Sequence, residues 1–155
     1  MKKILILFVI ITVLLTMQVL PAKAELSNGM AATEVYGQSI AGVPTFTQGS
    51  TNNGGSVSAS GMNEPRGLAL DAYGHRLFVV DLQNHRVLVY NLTDDNKQDG
   101  TEASYVLGQS DFDTAFDRSG PNGFFGPIDL VYDHTRQWLY VSDESNYRIM
   151  IFDVS

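Results

Sequence analysis

The chain has 155 residues, with 17 Asp and Glu against 10 Lys and Arg, a formal charge of −7, and no cysteine. This acidic balance disfavours nucleic-acid binding, where affinity rests on Lys and Arg displacing counterions from phosphates, and it offers no basic patch to an anionic membrane. Disulfides, thiolate metal sites and thiol nucleophiles are excluded, so stability has to come from packing and strand pairing.

Lys2 and Lys3 precede an apolar run from Ile4 to Leu20 that only Thr12, Thr16 and Gln18 interrupt. Pro21 breaks the run, and Ala22-Lys23-Ala24 supplies a small-x-small cleavage pattern. Residues 1–24 are therefore expected to be a secretory signal peptide cut after Ala24. The competing reading, a retained anchor, suffers from a run shorter than the ~20 residues of a typical span. Export places the mature chain, residues 25–155, in a secreted, periplasmic or cell-surface location, without membrane insertion after cleavage. Seven basic side chains then face 17 acidic ones, a net charge near −10.

Along the mature chain, "ATEVYGQS" (Ala32 to Ser39) comes first and its "EVYG" is expected to form a strand. The Gly-, Ser- and Asn-rich spacer Thr45 to Glu64 follows, read as a surface loop without regular structure. Then "GLALD", "RLFVVD" and "RVLVYNL" are rich in β-branched and aromatic residues, with Leu82-Gln83-Asn84-His85 as the hairpin between the last two. "ASYVLGQS" (Ala103 to Ser110) echoes the opening segment and supplies "YVLG" as an outer strand. A second spacer, Asp111 to Gly126, leads into "DLVYD", "WLYVSD" and "RIMIFDV". No segment after residue 24 keeps a 3.6-residue apolar period, so the domain should be all-β.

These elements are two copies of one unit. Pro65 to Leu92 aligns without a gap on Pro127 to Val154, a shift of 62, and Leu68/Leu130, Asp71/Asp133, Leu77/Leu139, Val79/Val141, Asp81/Asp143, Asn84/Asn146 and Arg86/Arg148 are identical. Repeat units span approximately 32–92 and 103–154. Four short antiparallel strands repeated along a chain describe a propeller blade. The pattern Pro-x-x-Leu-x-x-Asp, then Leu-(Phe/Tyr)-Val-x-Asp-x-x-Asn-x-Arg-(Val/Ile)-x-(Val/Ile)-(Tyr/Phe), resembles the NHL repeat, and its Gly-Gln segments with Asn/Gly-rich spacers are similar to exported bacterial members of that family. The resemblance covers Ala32 to Val154 and implies a partial β-propeller of about two four-stranded blade units, with the ring incomplete.

Asp81, Asn84 and Arg86, with Asp143, Asn146 and Arg148, are read as a scaffold device. Asp and Asn favour turns and bond nearby amides, while Arg could form a bidentate pair with a carboxylate and set the register. A device of the scaffold has to recur in every unit, and a ligand site need not. Asp71 and Asp133 end the first strand of each unit. They are the only metal candidates, weak ones, because in a propeller that strand lines the channel and an Asp ring there would attract a cation. Their competing role is to start the following turn. His75, His85 and His134 are not at metal-ligand spacing, and His85 aligns with Tyr147. "DDNKQDG" (Asp94 to Gly100) and "DFDTAFD" (Asp111 to Asp117) do not fit a calcium loop. No cofactor is expected, with Ca²⁺ and Zn²⁺ left open.

No nucleophile elbow, zincin motif or phosphate-cradling loop is present in the sequence. The expected function is a non-enzymatic binding or scaffold module for protein or glycan partners, because propellers present loops on a rigid body. The alternative is a fragment of a six-bladed propeller enzyme, a metal-dependent lactonase or lyase. RNA binding is disfavoured by export and charge. The missing blades are expected either from a longer chain, the preferred reading, or from self-association of identical chains.

Overall fold

A computed structural model describes residues 25–155. The expected signal peptide lies outside the described residues. The chain divides into two compact units at Ala31/Ala32. Of the first, residues 25–31 are exposed and carry one turn, Met30 N–H to Ser27 O. The second, residues 32–155, holds three antiparallel sheets and short 3-10 turns, so the domain is all-β.

A two-strand hairpin comes first, β1 (Ser39–Ile40) with β2 (Val43–Pro44). The first large sheet is β3 (Pro65–Asp71), β4 (Arg76–Asp81), β5 (Arg86–Asn91) and β6 (Tyr105–Leu107), in spatial order β3-β4-β5-β6. The second is β7 (Pro127–Asp133), β8 (Trp138–Asp143) and β9 (Arg148–Asp153), in order β7-β8-β9. We refer to them as sheet 1 and sheet 2. The sequence repeat is matched in register: Leu68 opposes Val79 and Leu88 opposes Val79 from the other side, while Leu130 opposes Val141 and Met150 opposes Val141. Both first strands carry a register irregularity at the same place, after Pro65 and after Pro127. The β4–β5 and β8–β9 connections are single 3-10 turns closed by a left-handed residue, His85 (φ 52°) and Tyr147 (φ 53°).

Strand alternation gives each sheet two faces. Face A of sheet 1 carries Leu68, Leu70, Leu77, Val79, Leu88 and Tyr90; face B carries Ala69, Phe78, Val80, Val87 and Val89. The corresponding residues of sheet 2 are Leu130, Tyr132, Leu139, Val141, Met150 and Phe152 on face A, and Val131, Tyr140, Ser142, Ile149 and Ile151 on face B. The main core joins face B of sheet 1 to face A of sheet 2: Phe78, Val80, Val87 and Val89 against Leu130, Leu139, Val141 and Phe124. A second core lies on face A of sheet 1, where Val79, Leu88 and Tyr90 are covered by Met62, Ala103, Tyr36 and Phe112. Burying each such aliphatic or aromatic side chain is worth about 1.5–3 kcal/mol, which holds the two sheets together without covalent links.

The inner strands β3 and β7 approach closely at Gly67, where a Cβ would collide with Asp129, its own counterpart in the second unit. That position therefore admits only glycine without displacing a strand.

One expectation is corrected. "EVYG" (Glu34 to Gly37) is not a strand, and pairing in this region lies further on, in β1 and β2. Its echo "YVL" forms β6 by pairing with β5, Val87 to Leu107 and Val89 to Tyr105. Glu34 to Gly37 has no strand edge beside it among the described residues, and a strand without a ladder partner leaves its amides unpaired.

Candidate functional site

Each β4–β5-type turn is the centre of a hydrogen-bond cluster that grips the spacer ahead of it, and the first also holds the start of the spacer that follows. Asp81 is fully buried, receives Arg86 Nε at 2.7 Å and Asn84 Nδ2 at 2.8 Å on Oδ2, and receives the Asn63 amide at 2.7 Å on Oδ1. Arg86 then donates Nη1 to Phe112 O at 2.7 Å, and Nη2 to Ser58 O at 2.8 Å and Gly61 O at 2.9 Å. Asn84 also donates to Asn52 Oδ1. In the second unit Asp143 receives Arg148 Nε, Asn146 Nδ2 and the Phe125 amide, while Arg148 reaches Ser119, Gly120 and Gly123 carbonyls. Asn146 donates to Arg118 O.

This arrangement alters the expected role in two ways. The arginine meets its aspartate through Nε alone, so the pair is not the bidentate one expected for register. The Nη atoms are directed to spacer carbonyls, because a buried guanidinium has five donors and a single carboxylate oxygen cannot satisfy them. The six residues thus tie a loop to a hairpin as well as shaping the hairpin.

The spacers consequently follow one path in both units, although their lengths differ. Gln38 Nε2 donates to Ser50 O and its Oε1 accepts from Ser50 N; Gln109 does the same with Phe116. Asn52 N bonds Met62 O, and Arg118 N bonds Phe124 O. Met62 and Phe124 then enter the two cores beneath. The spacers carry little regular secondary structure, one 3-10 turn at Thr51–Gly54, yet side chains of the two units hold their carbonyls. Gln38 and Gln109 were not singled out from the sequence, though the Gly-Gln-Ser echo marked both. Gly37 (φ 84°) and Gly108 (φ 91°) precede them and lie against Met62 and Phe124.

Exposed aromatic rings stand on this loop surface: Phe46, Phe116 and Phe125. Arg118 lies over the Phe116 ring, 5.7 Å from its centroid. His85 ties the first hairpin to the second unit, its Nδ1 lying 3.1 Å from the Gly126 amide that donates to it, and its ring set edge-on to Phe125.

Asp71 and Asp133 are the last residues of β3 and β7 and start the turns that follow. Asp71 is buried; it accepts from the Gly74 amide on Oδ1 and from Arg76 Nε and Nη2 on Oδ2. Burial alone would raise its pKa, but the Gly74 amide, the Arg76 guanidinium and the Tyr132 hydroxyl together hold it below the ordinary carboxylate value. Asp133 is held low chiefly by its hydrogen bond from Arg136, and accepts the Thr135 and Arg136 amides. Both are turn-starting carboxylates with their oxygens engaged by their own hairpins. Among the described residues no cluster of three or more His, Asp or Glu is placed to hold a metal ion.

A hollow of about 190 Å³ opens beside Asp71, lined by Tyr73, Arg76, Tyr132, His134 and Gln137. It is smaller than the ~300–1,000 Å³ of pockets that enclose a metabolite. A larger one, about 430 Å³, lies between Phe78, Val89, Tyr105, Leu107 and Val154. Arg76 is its one charged side chain, already bonded to Asp71 and to Val154 O at 2.6 Å. Neither brings a nucleophile to a base. No family model matches the chain, and no curated protein shows significant similarity to it.

Proposed function

We propose that this chain is an exported, non-enzymatic binding module of the NHL-propeller kind, which presents its two clamped spacers to a protein or glycan partner. The observation that carries the reading is the pair of equivalent clamps: Arg86 and Arg148 each fix loop carbonyls that Gly, Ser and Asn would otherwise leave free to move. Loops ordered in advance lose less conformational entropy on binding, which is how a recognition surface gains affinity. Phe46 and Phe116 supply exposed anchors of the type that dominates such interfaces. The acidic surface favours a neutral or basic partner.

The test is calorimetric titration of the chain with panels of neutral and cationic polysaccharides and of basic extracellular proteins, alongside Phe46→Ala and Phe116→Ala. Saturable binding weakened about tenfold or more by either substitution is expected. Binding untouched by both, or turnover of lactone or ester substrates on addition of Ca²⁺ or Zn²⁺, would overturn the reading. Export is checked separately by N-terminal sequencing of the secreted form, which should begin at Glu25.

A further inference from the structure

Three asparagines in this chain stand directly before glycine: Asn28, Asn53 and Asn122. That sequence is chemically labile, because glycine has no Cβ to keep its nitrogen away from the asparagine side chain. The glycine nitrogen attacks Cγ and gives its proton to solvent base. The bond from Cγ to the side-chain nitrogen breaks, and that nitrogen takes a proton and leaves as ammonia. Water then opens the cyclic imide at either carbonyl. One opening gives aspartate; the other gives isoaspartate, whose main chain runs through the former side chain and is longer by a methylene.

The fold treats the three sites differently. Asn28 lies in the exposed turn from Ser27 to Met30. Asn53 is half-buried with both ends of its carboxamide held, Oδ1 accepting the Ser39 amide at 2.8 Å and Nδ2 donating to Ser39 Oγ at 3.2 Å. Its Cγ cannot turn to the Gly54 nitrogen without breaking both bonds. Asn122 is exposed, and its carboxamide has no hydrogen-bond partner among the described residues. It follows Pro121 in the turn from Gly120 to Gly123, where both residue types are favoured. The attacking nitrogen, Gly123 N, lies 3.4 Å from Gly120 O, outside the ~2.7–3.2 Å of a good bond of this kind. Electrophile and nucleophile are therefore both close to unengaged.

What restrains this turn is the second clamp. Arg148 Nη2 donates to Gly120 O at 3.0 Å and to Gly123 O at 2.7 Å, the two carbonyls that bracket Asn122. Ring closure needs the peptide between Asn122 and Gly123 to rotate, and Gly123 O moves with it. Phe124, the next residue, is fixed in the main core with no exposed surface, and Arg118 stands where a Cβ on Gly123 would be. The segment has no slack.

We propose that Asn122 is a self-modification site gated by the Arg148 clamp. The reaction proceeds when the clamp opens, and the isoaspartate it leaves keeps the clamp from closing again. Slow chemistry at a locally opened site runs in proportion to the open fraction. The added methylene lengthens the main chain between two carbonyls that a single Nη2 holds, so both bonds cannot re-form. Aspartate brings no extra length and leaves the clamp closed. Asn53 stays tied to Ser39, so age makes the two spacers unequal. The inference concerns the chain's own chemistry and stands or falls separately from what the spacers bind.

The test ages the purified chain in mildly alkaline buffer, with peptide mapping by mass spectrometry and labelling by an isoaspartyl methyltransferase. Conversion is expected fastest at Asn28, slower at Asn122 and absent at Asn53 over the same time. Arg148→Ala should speed the reaction at Asn122 by about threefold or more and leave Asn28 unchanged. Aged wild-type chain should be cut faster by protease within residues 111–126. Fresh Asn122→Asp and aged Asn122→Gln chains should be cut no faster than fresh wild type. Asn122 intact once Asn28 has fully converted, Asn53 reacting as fast as Asn122, a rate at Asn122 untouched by Arg148→Ala, or aged and fresh chains cut alike would each overturn the proposal.

Discussion

Arg86 donates four hydrogen bonds from a side chain with no exposed surface, and Arg148 donates four from one that is 28% exposed. Three of the four match across the repeat, while Nη1 reaches the following spacer at Phe112 in one unit and the preceding spacer at Ser119 in the other, so the difference in their worth comes chiefly from solvent. Replacing Arg86 with alanine leaves Asp81 charged and buried with no cation beside it, the situation that costs about 3–5 kcal/mol. At Arg148 water can replace part of what is lost, and a loss of about 1–2 kcal/mol is expected. Urea unfolding of Arg86→Ala and Arg148→Ala measures this directly, provided the m-value is unchanged. Equal losses would show that burial does not set the strength of these clamps. The residue types at these positions were legible in the sequence because they recur; their partners were not, since the Nη atoms bond main-chain carbonyls, which any residue can supply.

Among the elements, the turn from spacer into first strand shows how one fold position accepts two chemistries. Glu64 (φ 57°) and its counterpart Gly126 (φ 70°) both stand in the left-handed region just before Pro65 and Pro127. A residue with a Cβ bears about 1–2 kcal/mol of strain there, which glycine escapes. Glu64→Gly forgoes an exposed ion pair with Arg66, worth ~0–1 kcal/mol, and gives a more flexible unfolded chain, a loss of about 0.5–1 kcal/mol. The changes nearly balance, with a net effect between about 1 kcal/mol of loss and about 1.5 kcal/mol of gain expected. Gly126→Glu brings the strain and sets a Cβ 3.0 Å from Ser145 Oγ, partly offset by a stiffer unfolded chain, and should cost about 1 kcal/mol. Thermal melts of the two variants should therefore move in different directions or by clearly different amounts. Strand assignments at this scale followed from composition for β3–β9. "EVYG" and "YVLG" both read as outer strands, and the two segments differ little in propensity. What separates them is β5, which offers an edge to Tyr105–Leu107; Glu34–Gly37 has none within the described chain.

For the whole molecule, the contact of the N-terminal segment with sheet 1 is sensitive to alkali. Burial first, and then the nearby charges of Glu34 and Asp99, push Tyr36 up to about 12; burial, with the Asp81 charge, raises Tyr90 further. Both hydroxyls are enclosed without a protein hydrogen-bond partner, so neither phenolate has a donor to receive it. A raised tyrosine pKa favours the protonated, folded form: the stabilisation is whole below the ordinary value near 10 and is lost as pH rises through about 12. The fold should be intact at pH 9 and weaken across that window, with phenolate absorbance rising together with unfolding. Tyr36→Phe and Tyr90→Phe should each move the alkaline transition to higher pH. An unchanged transition in both variants would place the alkaline weakness elsewhere.

The sequence by itself determined the two units, the strands β3–β9, the turn residues and the faces that are apolar, because alternation and turn chemistry are local and the repeat displays them twice. Only the tertiary structure decided which face meets which, that Asp81, Asn84 and Arg86 hold a spacer, and that the same apolar pattern is buried in one unit and open in the other. Val87 and Ile149 occupy one position of the repeat and are equally hydrophobic. Their exposures differ because burial belongs to the neighbouring sheet and is not written in the strand that carries the residue.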